Sequence, residues 1–216
     1  MKIEMMIAGL TAGTALAQSP YTETFNTGDA LWADAASQPL VWNATGSIDG
    51  SGYVSSTVNA AGIDPQFGAL SFRGQLNLGS SFGAFAGDYL SNGIDAISFD
   101  VRHDSTDALS FYVRVATPGN FPAVLFLSPV SVAAGQWTTV SFAFDPNSPF
   151  TVPEGGPGTF ESVMGNVGNL QIGFGAPASQ TSGDIGVDLD NVSIVPTPAS
   201  VAVLGLGGLV ATRRRR

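Results

Sequence analysis

Apolar and polar positions alternate with period two in segment after segment, which is the mark of strands with one buried face. In Ile97-Ser98-Phe99-Asp100-Val101-Arg102 one face is Ile97, Phe99 and Val101, and in Phe111-Tyr112-Val113-Arg114-Val115 it is Phe111, Val113 and Val115. Asp104-Ser105-Thr106-Asp107 lies between them. Asp and Ser side chains bond nearby backbone N–H groups in turns, so these two strands are expected to form a hairpin. Further strands are predicted over 22–25, 40–43, 53–58, 70–73, 123–127, 138–144, 170–174 and 186–195. The one long connection, 145–169, is rich in Pro and Gly as far as Gly158, after which 159–164 reads as a short capped helix. Short strands cut by Gly, Pro and Asp turns predict an all-β fold, an antiparallel β-sandwich. No internal repeat or second domain is visible.

The two ends break this pattern. Residues 1–17 read as a cleavable signal peptide, with Lys2 in front, a short apolar run from Met5 to Leu16 and the small-x-small site Ala15-Leu16-Ala17. The mature chain would begin at Gln18, and the sandwich domain would occupy 18–195. Residues 196–216 comprise Pro196-Thr197-Pro198, an apolar run from Ala199 to Thr212, and Arg213, Arg214, Arg215 and Arg216. As a helix that run spans about 21 Å, against about 30 Å for a hydrocarbon core. It suits transient membrane insertion better than a permanent span, and the arginines would stay cytoplasmic. The order Pro-x-Pro, short hydrophobic helix, basic end resembles the bacterial PEP-CTERM sorting signal, with Thr197 where that family has glutamate. The resemblance implies recognition by exosortase-type sorting machinery and delivery to the cell envelope, cell surface or extracellular matrix.

Charge sharpens the picture once the ends are set aside. Of eight basic residues only Arg73, Arg102 and Arg114 lie in the domain, whereas of seventeen acidic residues only Glu4 lies outside it. A surface so acidic repels phosphate backbones, which makes nucleic acid a poor partner, and it favours divalent cations. Cysteine is absent. An exported domain without disulfides relies on its core, and the 44% hydrophobic content is ample for one.

Several pieces of the middle share an order with a known family. They are Glu23-Thr24-Phe25, Trp32, Asp49-Gly50-Ser51-Gly52-Tyr53, Gly135-Gln136-Trp137-Thr138, Phe160-Glu161-Ser162-Val163, and Asp188-Leu189-Asp190-Asn191-Val192. Their order resembles the galactose-binding-like jelly rolls, which include many carbohydrate-binding modules and laminin-IV-type domains. The resemblance implies a jelly-roll sandwich. It also implies a structural calcium joining the opening strand to the closing one, through Glu23 and Asp190 with Asp188 as substitute.

Candidate chemistry is sparse. The single histidine, His103, reads as a surface residue at a turn, and nothing places a nucleophile beside it. Most carboxylates sit in turn contexts. Alternation puts Asp100, Arg102, Tyr112 and Arg114 away from the apolar face of the expected hairpin. There, two guanidinium groups, a carboxylate and a phenol could hold a sugar hydroxyl or acid group, or Asp100 and Arg114 could form a cross-strand ion pair. Trp32, Trp42 and Trp137 read as packing residues. The reading is a non-enzymatic, exported cell-surface or matrix protein. The alternatives are a carbohydrate-binding module for extracellular polysaccharide and a secreted glycan-active enzyme.

Overall fold

The computed structural model describes residues 20–195; the readings of 1–17 as leader and 196–216 as sorting tail lie outside the described residues. Eleven strands and one short helix follow in order: β1 Tyr21–Glu23, β2 Val41–Asn43, β3 Tyr53–Asn59, β4 Ala69–Gln75, β5 Ala96–His103, β6 Leu109–Ala116, β7 Ala123–Val132, β8 Thr138–Ala143, β9 Thr151–Glu154, α1 Thr159–Met164, β10 Asn169–Phe174 and β11 Asp184–Val195. One sheet runs β2-β3-β11-β5-β8, with β1 also paired to β11; the other runs β4-β10-β6-β7-β9. Every pairing is antiparallel. This is the expected jelly-roll sandwich, and its opening strand lies beside its closing one.

Alternation read the faces correctly and one pairing wrongly. β5 and β6 do not form a hairpin: β5 pairs with β11 and β8 in the first sheet, and β6 pairs with β10 and β7 in the second. Their apolar faces meet across the core, where the Phe99 and Phe111 rings sit edge to face at 6.3 Å. The Asp-rich segment between them carries the chain from one sheet to the other. Asp104 accepts from the Gly186 N–H at 2.7 Å, and Asp107 accepts from the N–H groups of Ser179 and Gln180 at 2.6 and 2.9 Å. Those bonds pin the crossover to distant loops.

His103, read as a surface residue, is 2% exposed. It ends β5 on the inward phase set by Ile97, Phe99 and Val101. Its Nε2 donates to the Val132 carbonyl at 3.0 Å, and its ring faces Phe111. β9 is a strand that the pattern does not predict, because its Thr151-Val152-Pro153-Glu154 lies in a Pro- and Gly-rich stretch. Proline is tolerated there because β9 pairs only with β7 and so lies at the sheet edge. The short helix forms where expected, with Gly158 in the left-handed region before it and no side chain capping it.

At the end where β1 meets β11 the core is aromatic. Trp32 packs edge to face on Phe25 at 5.7 Å and on Phe85 at 5.4 Å. Gly74 makes room for it, since a Cβ there would sit 2.6 Å from the indole. Asn191, with φ of 49°, bulges β11 so that Asp190 points out of the sandwich while Val192 and Ile194 still point in.

Candidate functional site

The four residues read as one polar patch occupy opposite sides of the molecule. Asp100 and Arg102 lie on the outer face of the β2-β3-β11-β5-β8 sheet, and Tyr112 and Arg114 on the outer face of the other. The correction follows from the pairing, because two strands whose apolar faces meet across a core turn their polar faces away from each other. The expected Asp100–Arg114 ion pair is likewise replaced by two pairs, Arg102–Asp188 and Arg114–Glu154, each at 2.7 Å.

On the first face Arg102 is engaged by Asp188 and by two rings. Register sets Asp188 directly across from it, and its Nε donates to Asp188 at 2.8 Å. Its guanidinium lies 5.3 Å from the Tyr53 ring and 4.8 Å from the Trp137 ring. Trp137 is also held by its Nε1 donating to the Gly46 carbonyl at 2.9 Å. These two rings are therefore only partly covered by protein, and Trp42 on the edge strand β2 stands 41% exposed, its Nε1 donating to the Phe25 carbonyl. The neighbouring shallow pocket, between Arg102, Asp104, Gly135 and Asp188, has no aromatic platform.

Beside this lies a buried carboxylate. Asp190 is fully buried beneath the 46–52 loop; its Oδ2 accepts from Ser51 at 3.4 Å, and its Oδ1 has no partner. Its cross-strand partner is another acid, Asp100, which is bonded by Thr139 and by Asn191 at 2.9 Å. Burial pushes the Asp190 carboxyl up to about 6, and the charges of Asp49 and Asp100 add to the effect. Asp49 is held low, at about 2, by hydrogen bonds from Ser51 and Ser47.

The calcium set expected from sequence does not assemble. Glu23 lies on the inward side of β1, where it accepts from Tyr21, the Phe25 N–H and Ser81. Asp190 lies on the outward side of β11. Asp188 shares the face of Asp190, as alternation predicts, but is committed to Arg102 and Ser55. Among the described residues no three acidic or histidine side chains converge to hold a metal ion. The orphaned Asp190 oxygen is the one feature of the set that suits a cation; Glu23 and Asp188 do not fit.

The second face is built differently. Direct cross-strand neighbours place Arg73, Gln171 and Arg114 in one row across β4, β10 and β6. All five Arg114 N–H groups are used within the protein. Nε and Nη2 bond Glu154, Nη1 bonds Asn120 Oδ1 and Gln171 Oε1, and Nη2 also bonds the Asn120 carbonyl, at 2.7–3.1 Å. Gln171 closes the network by donating to Asn120 Oδ1 at 3.0 Å. Arg114 thus acts as an organiser that fixes Glu154, Asn120 and Gln171 in place.

In the next row Tyr112 lies opposite Gly173, and a Cβ on that glycine would sit 2.4 Å from the phenol. Only glycine lets the ring lie over β10. Burial pushes the Tyr112 hydroxyl up to about 12, so it stays protonated at physiological pH and can donate. It makes no hydrogen bond to another described residue. Leu127, Tyr112's partner on β7, and Phe150 extend the row as exposed apolar surface. Of these residues the sequence reading named only Tyr112 and Arg114. Gln171, Glu154 and Asn120 carry no local signal, because register alone brings them together.

No protein-family model matches the sequence, and no curated protein shows significant similarity to it. Among solved structures the chain is similar to the CBM22-1–GH10 modules of Clostridium thermocellum xylanase 10B in complex with xylohexaose. That match has 15% identity and a TM-score of 0.48 over 83% of this chain and 29% of that one, so the chain spans less than a third of its length. It is also similar to the CBM22-1 xylan-binding domain of Paenibacillus barcinonensis Xyn10C, with 12% identity and a TM-score of 0.48 over 82% of this chain and 94% of that one. A third is the K1 cleaved adhesin domain of Lys-gingipain from Porphyromonas gingivalis, with 18% identity and a TM-score of 0.41 over 83% of this chain and 99% of that one.

Proposed function

We propose that the domain is a non-catalytic carbohydrate-binding module that holds a polysaccharide across the outer face of the β4-β10-β6-β7-β9 sheet. The observation that carries this is Tyr112, a phenol laid over Gly173 with its hydroxyl unpartnered, beside the polar groups of Asn120 and Glu154 that Arg114 and the buried Gln171 hold in place. A sugar ring offers an apolar C–H face and a rim of hydroxyls, and a site with an aromatic surface and a few preorganised polar groups complements both. On the other sheet the Tyr53 and Trp137 rings are already engaged by Arg102. No observation among the described residues favours the enzyme reading, since His103 and Asp190 are shut away from substrate.

Affinity electrophoresis against a panel of soluble polysaccharides tests the reading. Tyr112→Ala should weaken binding of the retained glycan at least tenfold, while Tyr53→Ala on the opposite face leaves it unchanged. Equal binding by wild type and Tyr112→Ala would remove this face as the site.

Two further proposals concern what surrounds the module. From the 1–17 and 196–216 sequences we propose export and sorting to the cell surface. Peptide mapping of envelope material should then find Gln18 at the N-terminus, and an intact Met1 on folded cytosolic protein would rule this out. From the orphaned Asp190 oxygen we propose a structural calcium at the 46–52 loop, held by Asp190 and oxygens of that loop.

A further inference from the structure

We propose that the module's ligand is a carboxylate-bearing polysaccharide, a chain containing uronic acid, and that Arg73 reads the carboxylate. This rests on the glycan-binding role of the same face and names its ligand class. The three arginines of the described chain differ in how they are used. Arg102 is paired with Asp188 and stacked on two rings, and Arg114 spends all five donors on Glu154, Asn120 and Gln171.

Arg73 forms no ion pair among the described residues, although acids far outnumber bases in this domain. Its one side-chain hydrogen bond to a described residue is a long contact from Nη1 to Ser37 at 3.4 Å, and its Nε is buried without a partner. Leaving a guanidinium unsatisfied is unfavourable. The fold nonetheless holds it there, because the Arg73 N–H and carbonyl are both bonded to Ala33, at 2.8 and 3.1 Å, and β4 is registered on β10 with Arg73 opposite Gln171.

Arg73 is therefore a fixed, half-buried cation with spare donors, in the row of Gln171 and Arg114 and one row from Tyr112. A guanidinium matches a carboxylate in shape and charge, and such pairs are stronger than neutral hydrogen bonds. The nearby acids are otherwise engaged, since Asp34 accepts from the Ala36 and Gln38 N–H groups and Glu154 is paired with Arg114, and exposed charges beyond about 8 Å are screened at physiological salt whereas a contact pair is not. A neutral glycan would leave the one uncommitted cation of the face unused.

The test compares oligogalacturonate, oligoalginate and hyaluronate oligomers with their methyl esters, which keep the backbone and lose the charge. A neutral xylan and a neutral glucan complete the set, and binding is measured by calorimetry with the full chain. Wild type should bind at least one acid form tenfold or more tighter than its ester. Arg73→Gln, shown to be folded by its unfolding transition, should bind acid and ester alike. Acid and ester bound equally by wild type, or only the neutral glycans bound, would overturn the inference and leave glycan binding standing. A preference that persists in Arg73→Gln would remove Arg73 as its reader, and no binding to any glycan would remove both readings.

Discussion

Replacing Trp32 with alanine should cost about 3–5 kcal/mol of unfolding free energy, as large aromatic truncations in closed cores do. The residue is 1% exposed, and its ring is gripped from two directions by Phe25 and Phe85. Its indole N–H donates to Ser81 Oγ at 2.8 Å, and that hydroxyl donates to Glu23 Oε2 at 2.7 Å. The indole thus ties the loop after β4 to β1, and through β1 to the closing strand β11. Gly74 is shaped around the ring and cannot fill the void left behind. Trp32→Phe keeps most of the packing and loses the N–H, so roughly 1–2 kcal/mol should be lost. Urea unfolding of both variants, with an unchanged dependence on denaturant, checks the pair. A loss below about 1 kcal/mol for the alanine variant would mean that this end of the sandwich opens before the rest.

The strands were legible in the sequence because alternation depends only on which face a side chain takes, and both faces of each strand were read correctly at Phe99, Val101, Phe111 and Val113. Partner choice was not legible, since β5 and β6 alternate equally well as neighbours or as opposing layers. That ambiguity produced both the expected hairpin and the single patch of Asp100, Arg102, Tyr112 and Arg114. The site on the second sheet depends on Gln171 lying between Arg73 and Arg114, and these residues are 98 and 57 positions from it in sequence order. No local pattern encodes such a juxtaposition. Asp190 stands out in the sequence as a calcium partner of Glu23, but nothing local to it encodes the 46–52 loop that covers it.

The Asp190 carboxylate should weaken the fold at neutral pH unless a cation meets it. Its folded-state pKa, about 6, lies above the ordinary carboxylate value of 3.8. Between those values the folded chain holds a proton that the unfolded chain has released. Its contribution is therefore fully favourable below about pH 4 and is lost as pH rises through 6. A shift of that size corresponds to about 2–3 kcal/mol. Asp190→Asn removes the charge and keeps the shape. In excess chelator at pH 7.5 the variant should be more stable than wild type by that amount, and at pH 4 the difference should vanish. Comparing the two chains cancels the opposite trend of Asp49, Asp88 and Asp107, whose carboxyls hydrogen bonds hold low. If wild type and variant melt together in chelator at both pH values, the buried carboxylate costs nothing. Calcium supplies the second arm of the experiment. An ion bound only by the folded state stabilises it by about 2.7 kcal/mol at one hundred times its dissociation constant. Millimolar calcium at pH 7.5 should therefore raise the wild-type transition and leave Asp190→Asn where it was. A wild-type transition that ignores calcium would remove the ion, and the chelator result would then describe Asp190 as a permanent cost of closing the 46–52 loop over the sheet.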